Sequence, residues 1–281
     1  MAIAIGISIA LVGAGVVSVA AAVLGALSGR EFSVGSPGVK LAATVVQDAA
    51  MVASVFITAK LAEGKLRLQG FGFVPSLVSR RRATLLGVAT WLAFIGFTAG
   101  WTALVGKSGK QSILDDLGID QSVWLWIGTV VLITVIAPLA EEILFRGFLF
   151  STLWRWMPLG LAALITGALF GALHLGGSPP LLTVPLGVLG VFLCLLRAAT
   201  GSLIPCIVVH AVNNTLAFGV GEKLAGVWVL ALLVFSVGSV VVISLRLTRH
   251  AYTESDEGSQ PPELDSLGDS GPPSPPPAAV G

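Results

Sequence analysis

Residues 123–154, VWLWIGTVVLITVIAPLAEEILFRGFLFSTLW, form a long apolar run that decides the class of this chain. A helix rises about 1.5 Å per residue, so this stretch can cross a bilayer core, which takes about 20 residues. Its only charged residues are Glu141, Glu142 and Arg146. A charge at bilayer depth is costly, so residues of this kind usually face a bundle interior and serve a function.

The composition of the whole chain agrees with membrane insertion. Hydrophobic residues make up 55% and charged residues only 11%, against about 25% charged in a soluble domain. The apolar runs predict an all-α fold, a polytopic transmembrane helical bundle of about eight spans. The candidate spans are 3–27, 40–62, 84–105, 123–154, 159–175, 181–199, 202–219 and 225–246. The net charge of +1 predicts no nucleic acid partner.

The charges outside the spans predict the organisation of the chain. Residues 1–122 hold N-terminal spans and a basic loop at 63–83, 123–220 a polar core, 221–250 the last span, and 251–281 an acidic, proline-rich tail. Lysine and arginine favour cytoplasmic loops, so the basic loop is placed inside. We therefore expect a multi-pass protein of the cell membrane with both termini in the cytoplasm. The tail has almost nothing to bury and is expected to be disordered.

Helix geometry separates the roles of the two adjacent glutamates. Glu142 and Arg146 are four residues apart, so they share a helix face and can form an ion pair. Glu141 is rotated from Glu142 by about 100° and cannot fully share that face. Glu142 therefore looks structural, while Glu141, a buried carboxylate without a cation of its own, suits a general base. The alternative is an ion network that only locks the helices together.

Two further spans carry polar residues at the same four-residue spacing. Phe170 and His174 share one face of the span 159–175, and His210 and Asn214 share one face of the span 202–219, with Asn213 beside them. Each set alone could be packing or interhelical hydrogen bonding. Their distances along the helices bring them to a depth similar to that of Glu141. Together they predict a cavity reached most easily from the cytoplasm.

Asp48, beside Gln47 in the second span, is a further acid at bilayer depth. No partner is evident for it in the sequence. We expect a helix-packing hydrogen bond there in preference to a functional role.

The polar residues of spans four, five and seven support peptide hydrolysis. This reaction needs an activated water and a stabilised oxyanion. Glu141 with His174 can activate the water, and His210 with Asn214 can donate to the oxyanion. Alternatively, Glu141, His174 and His210 can hold zinc or another divalent metal with its water. The sequence leaves both layouts open, although the zincin motif HExxH and the aspartyl protease motif GxGD are absent.

The three segments together resemble the CPBP family of CAAX proteases and bacteriocin-processing enzymes, also called Abi, which includes CAAX prenyl protease type 2. The EExxxR motif is matched by Glu141, Glu142 and Arg146, FxxxH by Phe170 and His174, and HxxxN by His210 and Asn214. The resemblance covers roughly 123–220 and implies an intramembrane endopeptidase, often labelled a metalloprotease. It implies that Glu141 and His174 activate water, that His210 and Asn214 hold the oxyanion, and that Glu142 and Arg146 support the site. The implied partners are the lipid bilayer and a membrane-associated protein or peptide substrate.

Two other functions remain open at this point. Buried glutamate, histidine and Asp48 could relay protons in a proton-coupled transporter, although no inverted repeat or matching pair of broken spans is visible. A non-catalytic membrane scaffold or immunity protein could also keep the family's fold. Retention of every motif position argues against the scaffold.

Overall fold

The computed structural model describes residues 36–64, 66–106, 117, 119–175 and 180–257, and the regular secondary structure in these ranges is helical, with no strand. The helices are α1 (Pro37–Glu63), α2 (Arg80–Val105), α3 (Val123–Trp154), α4 (Leu159–Leu173), α5 (Pro180–Thr200), α6 (Ile204–Gly221) and α7 (Gly226–Glu257). Six of the described helices are long and apolar enough to cross a membrane. The predicted helical bundle is thereby confirmed. The predicted span 3–27 lies outside the described residues.

Two predicted boundaries need correction. The expected span 159–175 is a shorter apolar helix, because α4 ends at Leu173. The last helix continues past the expected boundary at 250 as far as Glu257. No proline or glycine interrupts residues 251–257, and Gly258 follows them, so the local sequence lets the helix run on. Residues 258–281 of the predicted tail lie outside the described part of the chain.

The long helix α3 is not a regular α-helix. It begins behind Ser122, whose hydroxyl accepts a hydrogen bond from the backbone N–H of Trp124 at 3.2 Å. Two π-helical segments, Leu132–Ile136 and Ile143–Phe150, flank a short α-helical stretch, Ala137–Glu142. In π segments each N–H bonds the carbonyl five residues back, and such segments often mark functional sites. Both glutamates lie at the end of the α-helical stretch between them.

Glycines let α4 and α5 pack backbone against backbone. A Cβ on Gly167 would lie 2.6 Å from the carbonyl oxygen of Gly187, and one on Gly171 would lie 2.7 Å from the carbonyl oxygen of Thr183. Only a residue without a side chain fits at these two crossing points. The close crossing fixes the height and rotation of α4, which carries Phe170 and His174.

The chain between α1 and α2 is more than the basic loop that the sequence predicts. A short 3₁₀ turn at Leu68–Phe71 follows Arg67, and both Phe71 and Phe73 are buried in the core. The carbonyl oxygen of Gly72 accepts a hydrogen bond from the backbone N–H of Leu203 at 2.8 Å. The hydroxyl of Ser202 donates to the carbonyl oxygen of Val74 at 2.7 Å. This segment therefore closes one end of the bundle at the corner between α5 and α6.

Candidate active site

A proline in α3 frees two backbone carbonyls that tie α6 and α7 to the site. Pro138 has no N–H, so it cannot donate to the carbonyls four and five residues before it. The carbonyl oxygen of Ile133 accepts instead from Asn214 Nδ2 at 3.0 Å, and that of Thr134 accepts from Ser236 Oγ at 2.9 Å. Side chains from two other helices thus satisfy the carbonyls that the proline leaves open, and α6 is held in register against α3.

A buried ion network lies directly beyond Pro138 on α3. Arg146 Nη1 donates to Glu142 Oε1 at 2.8 Å, and neither side chain is exposed. The predicted pairing at four-residue spacing is therefore confirmed. Arg146 Nη2 also donates to the carbonyl oxygen of Gly190 on α5 at 3.1 Å, and its guanidinium carbon lies 4.5 Å from the ring centre of Phe170. The arginine thus joins three helices.

His210 lies between the two glutamates, and this placement changes the expected division of roles. Its Nδ1 lies 2.8 Å from Glu142 Oε1, while its Nε2 lies 3.8 Å from Glu141 Oε2. Glu142 is therefore the closer partner of His210 as well as the partner of Arg146. Helix spacing predicts the pairing of Glu142 with Arg146, but it cannot show which side chain of α6 also faces Glu142. A carboxylate oxygen only accepts, so Nδ1 donates to Glu142 and Nε2 points towards Glu141.

Glu141 has the free carboxylate of the site. Its Oε2 is buried and has no hydrogen-bond partner among the described residues. Its side chain keeps 14% of its surface exposed, whereas that of Glu142 keeps none. An unpartnered carboxylate oxygen with limited solvent access is suited to bind a single water molecule.

His174 is placed at the end of α4 and not within a span. It follows the last helical residue, Leu173, and its Nδ1 lies 2.8 Å from the carbonyl oxygen of Phe170. Because a carbonyl only accepts, Nδ1 must donate, and a neutral His174 then presents Nε2 as an acceptor. No hydrogen bond or ion pair joins His174 to Glu141 in the described ranges. The side chain is half-buried, so Nε2 remains accessible.

The ring of Phe170 brings the two histidines together. Its centre lies 5.0 Å from the ring centre of His174 and 5.6 Å from that of His210, and it is fully buried. Phe145 packs edge-on against it at 5.1 Å. The FxxxH phenylalanine is therefore the common contact of both imidazoles and of Arg146.

The two asparagines differ in their placement. Asn214 lies one helical turn along α6 from His210, and its Nδ2 donates to the carbonyl oxygen of Ile133. It makes no hydrogen bond with Glu141 in the structure's described part. A carboxamide nitrogen carries two hydrogens, so one donor of Asn214 remains available. Asn213 is buried, and no hydrogen bond of its side chain is seen among the described residues. The supporting role expected for Asn213 stays a prediction.

Asp48 on α1 is the further acid that the sequence places at bilayer depth. It is only 4% exposed, and its Oδ2 has no hydrogen-bond partner among the described residues. The expected helix-packing hydrogen bond is not seen. Glu141 is the charged group that acts on it electrostatically. A functional role of Asp48 stays a prediction of the general rule that an acid at bilayer depth usually serves a function.

The donor atoms do not fit the predicted metal set. In the described part of the chain, no group of three or more histidine, cysteine, aspartate or glutamate side chains is placed to hold a metal ion. His210 has its Nδ1 bound to Glu142, and His174 has its Nδ1 bound to a carbonyl. Those bonds leave only Nε2 of each ring for a metal, and Glu141, His174 and His210 do not form a metal-binding group among the described residues.

Comparison with known families gives one match to this region. Residues 123–216 match the family model described as Rce1-like, type II CAAX prenyl endopeptidase Rce1-like. This segment is similar to that family, and it is called the Rce1-like segment below. The match confirms the resemblance that the three motifs indicated and spans them from Glu141 to Asn214. No curated protein and no solved structure matches the chain.

The Rce1-like segment bears on function at a general level. It supports a CAAX-type intramembrane endopeptidase, a hydrolase that acts on a membrane-associated substrate. Together with the apolar helices it indicates a multi-pass membrane protein. The match does not include α1, α2 and α7, so Asp48 on α1 and Ser236 on α7 lie outside the matched residues.

Proposed function

We propose that this chain is an intramembrane endopeptidase that hydrolyses a peptide bond in a membrane-associated protein or peptide, in CAAX-type or bacteriocin-related processing. One observation carries the proposal. The buried, unpartnered Oε2 of Glu141 lies 3.8 Å from Nε2 of His210, and His210 is itself held by Glu142 at 2.8 Å. A free carboxylate beside an oriented imidazole is a combination of base and oxyanion donor.

Glu141 is the general base in this proposal. A water bound to Glu141 Oε2 loses one proton to the carboxylate as its oxygen attacks the carbonyl carbon of the substrate. His174 Nε2, left as an acceptor by the bond from Nδ1 to Phe170, orients the water through its second hydrogen. The protonated Glu141 then gives its proton to the leaving nitrogen as the C–N bond breaks. The products are a carboxylic acid and an amine, and Glu141 returns to its starting state.

The oxyanion is stabilised from α6. His210 donates from Nε2 when the imidazole is cationic. The two neighbouring carboxylates, Glu141 and Glu142, stabilise that cationic form. Asn214 offers its second Nδ2 hydrogen, while the first remains bound to Ile133. Arg146 does not touch the substrate in this scheme. It positions Glu142, and Glu142 positions His210, so the pair acts through the imidazole.

The experiment compares the termini of membrane proteins in cells that contain the wild-type chain, Glu141→Gln or Asp120→Asn. Asp120 is an exposed carboxylate on a turn outside the helices, so its change to an amide is the matched control. We expect a set of new termini with the wild type and the control that is missing with Glu141→Gln. A substrate found in this way is then cleaved with purified protein.

For the purified protein we expect kcat to fall about 10²–10⁴-fold in Glu141→Gln, as for loss of a general base. The variants must keep the wild-type helical content and melting profile. If both Glu141→Ala and His174→Ala stay fully active on a verified substrate, the proposal is wrong.

A further inference from the structure

A cavity lies at the far end of α3, away from the glutamates. It has a volume of about 200 Å³ and is lined by Phe150, Ser151, Trp154, Arg155 and Arg197. Fourteen residues of helix separate Glu141 from Arg155, which is about 21 Å at about 1.5 Å per residue. The cavity is therefore distinct from the candidate active site.

Two arginines give this cavity a positive charge that no described carboxylate neutralises. In the part of the chain that the structure describes, neither Arg155 nor Arg197 forms an ion pair, and Arg197 Nε is buried without a hydrogen-bond partner. Leaving a partly buried guanidinium without a partner is unfavourable. Among the described residues, this pair of side chains lacks a complementary anion.

The guanidinium of Arg197 is held in place by the segment between α1 and α2. A Cβ on Gly72 would lie 2.5 Å from Arg197 Nη2 and 2.8 Å from its Cζ. Gly72 has a φ of +92°, and its carbonyl is bound to Leu203. The backbone thus packs directly on the guanidinium. A side chain fixed in advance loses less entropy when a ligand binds.

The surroundings of the cavity indicate the level of the membrane interface. Trp154 ends the apolar helix α3, and Trp156, two residues on, is 84% exposed. Tryptophans concentrate where the bilayer meets water. The rings of Phe150 and Trp154 stack at 5.5 Å between centres and form an apolar wall beside the arginines. A ligand here has an anionic group next to an apolar part.

We propose that this cavity binds an anionic phospholipid, with its phosphodiester between Arg155 and Arg197 and its glycerol and upper acyl segment along the Phe150–Trp154 wall. Basic pockets between transmembrane helices are suited to lipid headgroups of this kind. A free phosphate shares the anionic chemistry, but it makes no use of the apolar wall.

The test uses the full-length protein in phosphatidylcholine bicelles, with phosphatidylglycerol added and bound lipid counted by native mass spectrometry. Arg155→Gln and Arg197→Gln each remove one charge from the cavity. Arg81→Gln, an exposed arginine at the start of α2, is the matched control. We expect about fivefold weaker phosphatidylglycerol binding for each cavity variant, and a change of less than about twofold for the control.

Gly72→Ala gives a second, charge-neutral variant, because its Cβ displaces the guanidinium of Arg197. It should weaken phosphatidylglycerol binding as Arg197→Gln does. Unchanged affinity in Arg155→Gln, which alters an exposed side chain, overturns the proposal even if Arg197→Gln fails to fold. Full displacement of the lipid by millimolar inorganic phosphate overturns the assignment to a lipid. Glu141→Gln should bind the lipid like the wild type, since the two sites are separate.

Discussion

Replacing Arg146 with methionine should destabilise the protein strongly, and removing its partner as well should restore much of the loss. Arg146→Met takes away the 2.8 Å bond to Glu142 and the 3.1 Å bond to the carbonyl of Gly190. It leaves Glu142 fully buried with only His210 as a partner. Breaking a buried pair by removing one side costs about 3–5 kcal/mol of unfolding free energy.

The double variant Arg146→Met with Glu142→Gln removes both charges. The remaining cost is the loss of the charge-assisted hydrogen bond from Arg146 to the carbonyl of Gly190, about 1.5–3 kcal/mol. Glu142→Gln alone leaves the buried Arg146 without its anion and should cost about as much as Arg146→Met. The coupling free energy of the double-mutant cycle is therefore expected to be at least about 3 kcal/mol.

The assay is equilibrium unfolding in mixed detergent micelles, followed by helical circular dichroism. Thr129→Val is the matched control on the same helix, because Thr129 is fully buried and its hydroxyl has no hydrogen-bond partner among the described residues. It should change the unfolding free energy by less than about 1 kcal/mol. The reasoning is refuted if Arg146→Met costs less than about 1 kcal/mol, or if the double variant loses the sum of the two single losses.

Three further predictions concern packing, chemistry and metal. Gly167→Ala should destabilise the protein by about 1–3 kcal/mol in the same unfolding assay, while Gly160→Ala on the same helix, with open space around it, should be near neutral. Asp48→Leu should lower kcat at least about tenfold with KM little changed, and Asp48→Asn should have a kcat between those of Asp48→Leu and the wild type. Equal activity of Asp48→Leu and the wild type contradicts a role beside Glu141. Purified protein should contain no stoichiometric metal, and a bound ion that disappears in His174→Ala contradicts the metal-free scheme.

The helices could be predicted from the sequence because each apolar run is bounded by polar residues or glycine. The run 123–154 begins behind Ser122 and ends before Arg155, and the structure places the helix at Val123–Trp154. The segment between α1 and α2 could not be predicted in the same way. It contains one arginine, one lysine and three glycines and no helical period, so its burial of Phe71 and Phe73 depends on the bundle that it closes.

The site was predictable to the extent that it follows from spacing within one helix. The pairing of Glu142 with Arg146 is set by four residues of helix, and it was correct. The partner of His210 depends on the rotation of α6 against α3, which no residue spacing contains. The electrostatic interaction of Asp48 with Glu141 depends likewise on the packing of α1.

The register of α6 explains why the two glutamates differ in environment. Pro138 leaves the carbonyl of Ile133 without a helical donor, and Asn214 donates a hydrogen bond to it. This bond, eight residues before Glu141 on α3, sets the position of α6 along α3. His210, one turn away from Asn214 on α6, is thereby placed beside the glutamate pair, where its Nδ1 reaches Glu142 and its Nε2 faces Glu141. Asn214 thus has a positional role in addition to the donor role proposed for it. Loss of Asn214 should therefore disturb His210 even where no substrate is bound. A change in the substrate-free protein distinguishes the anchoring role of Asn214 from its proposed contact with an oxyanion.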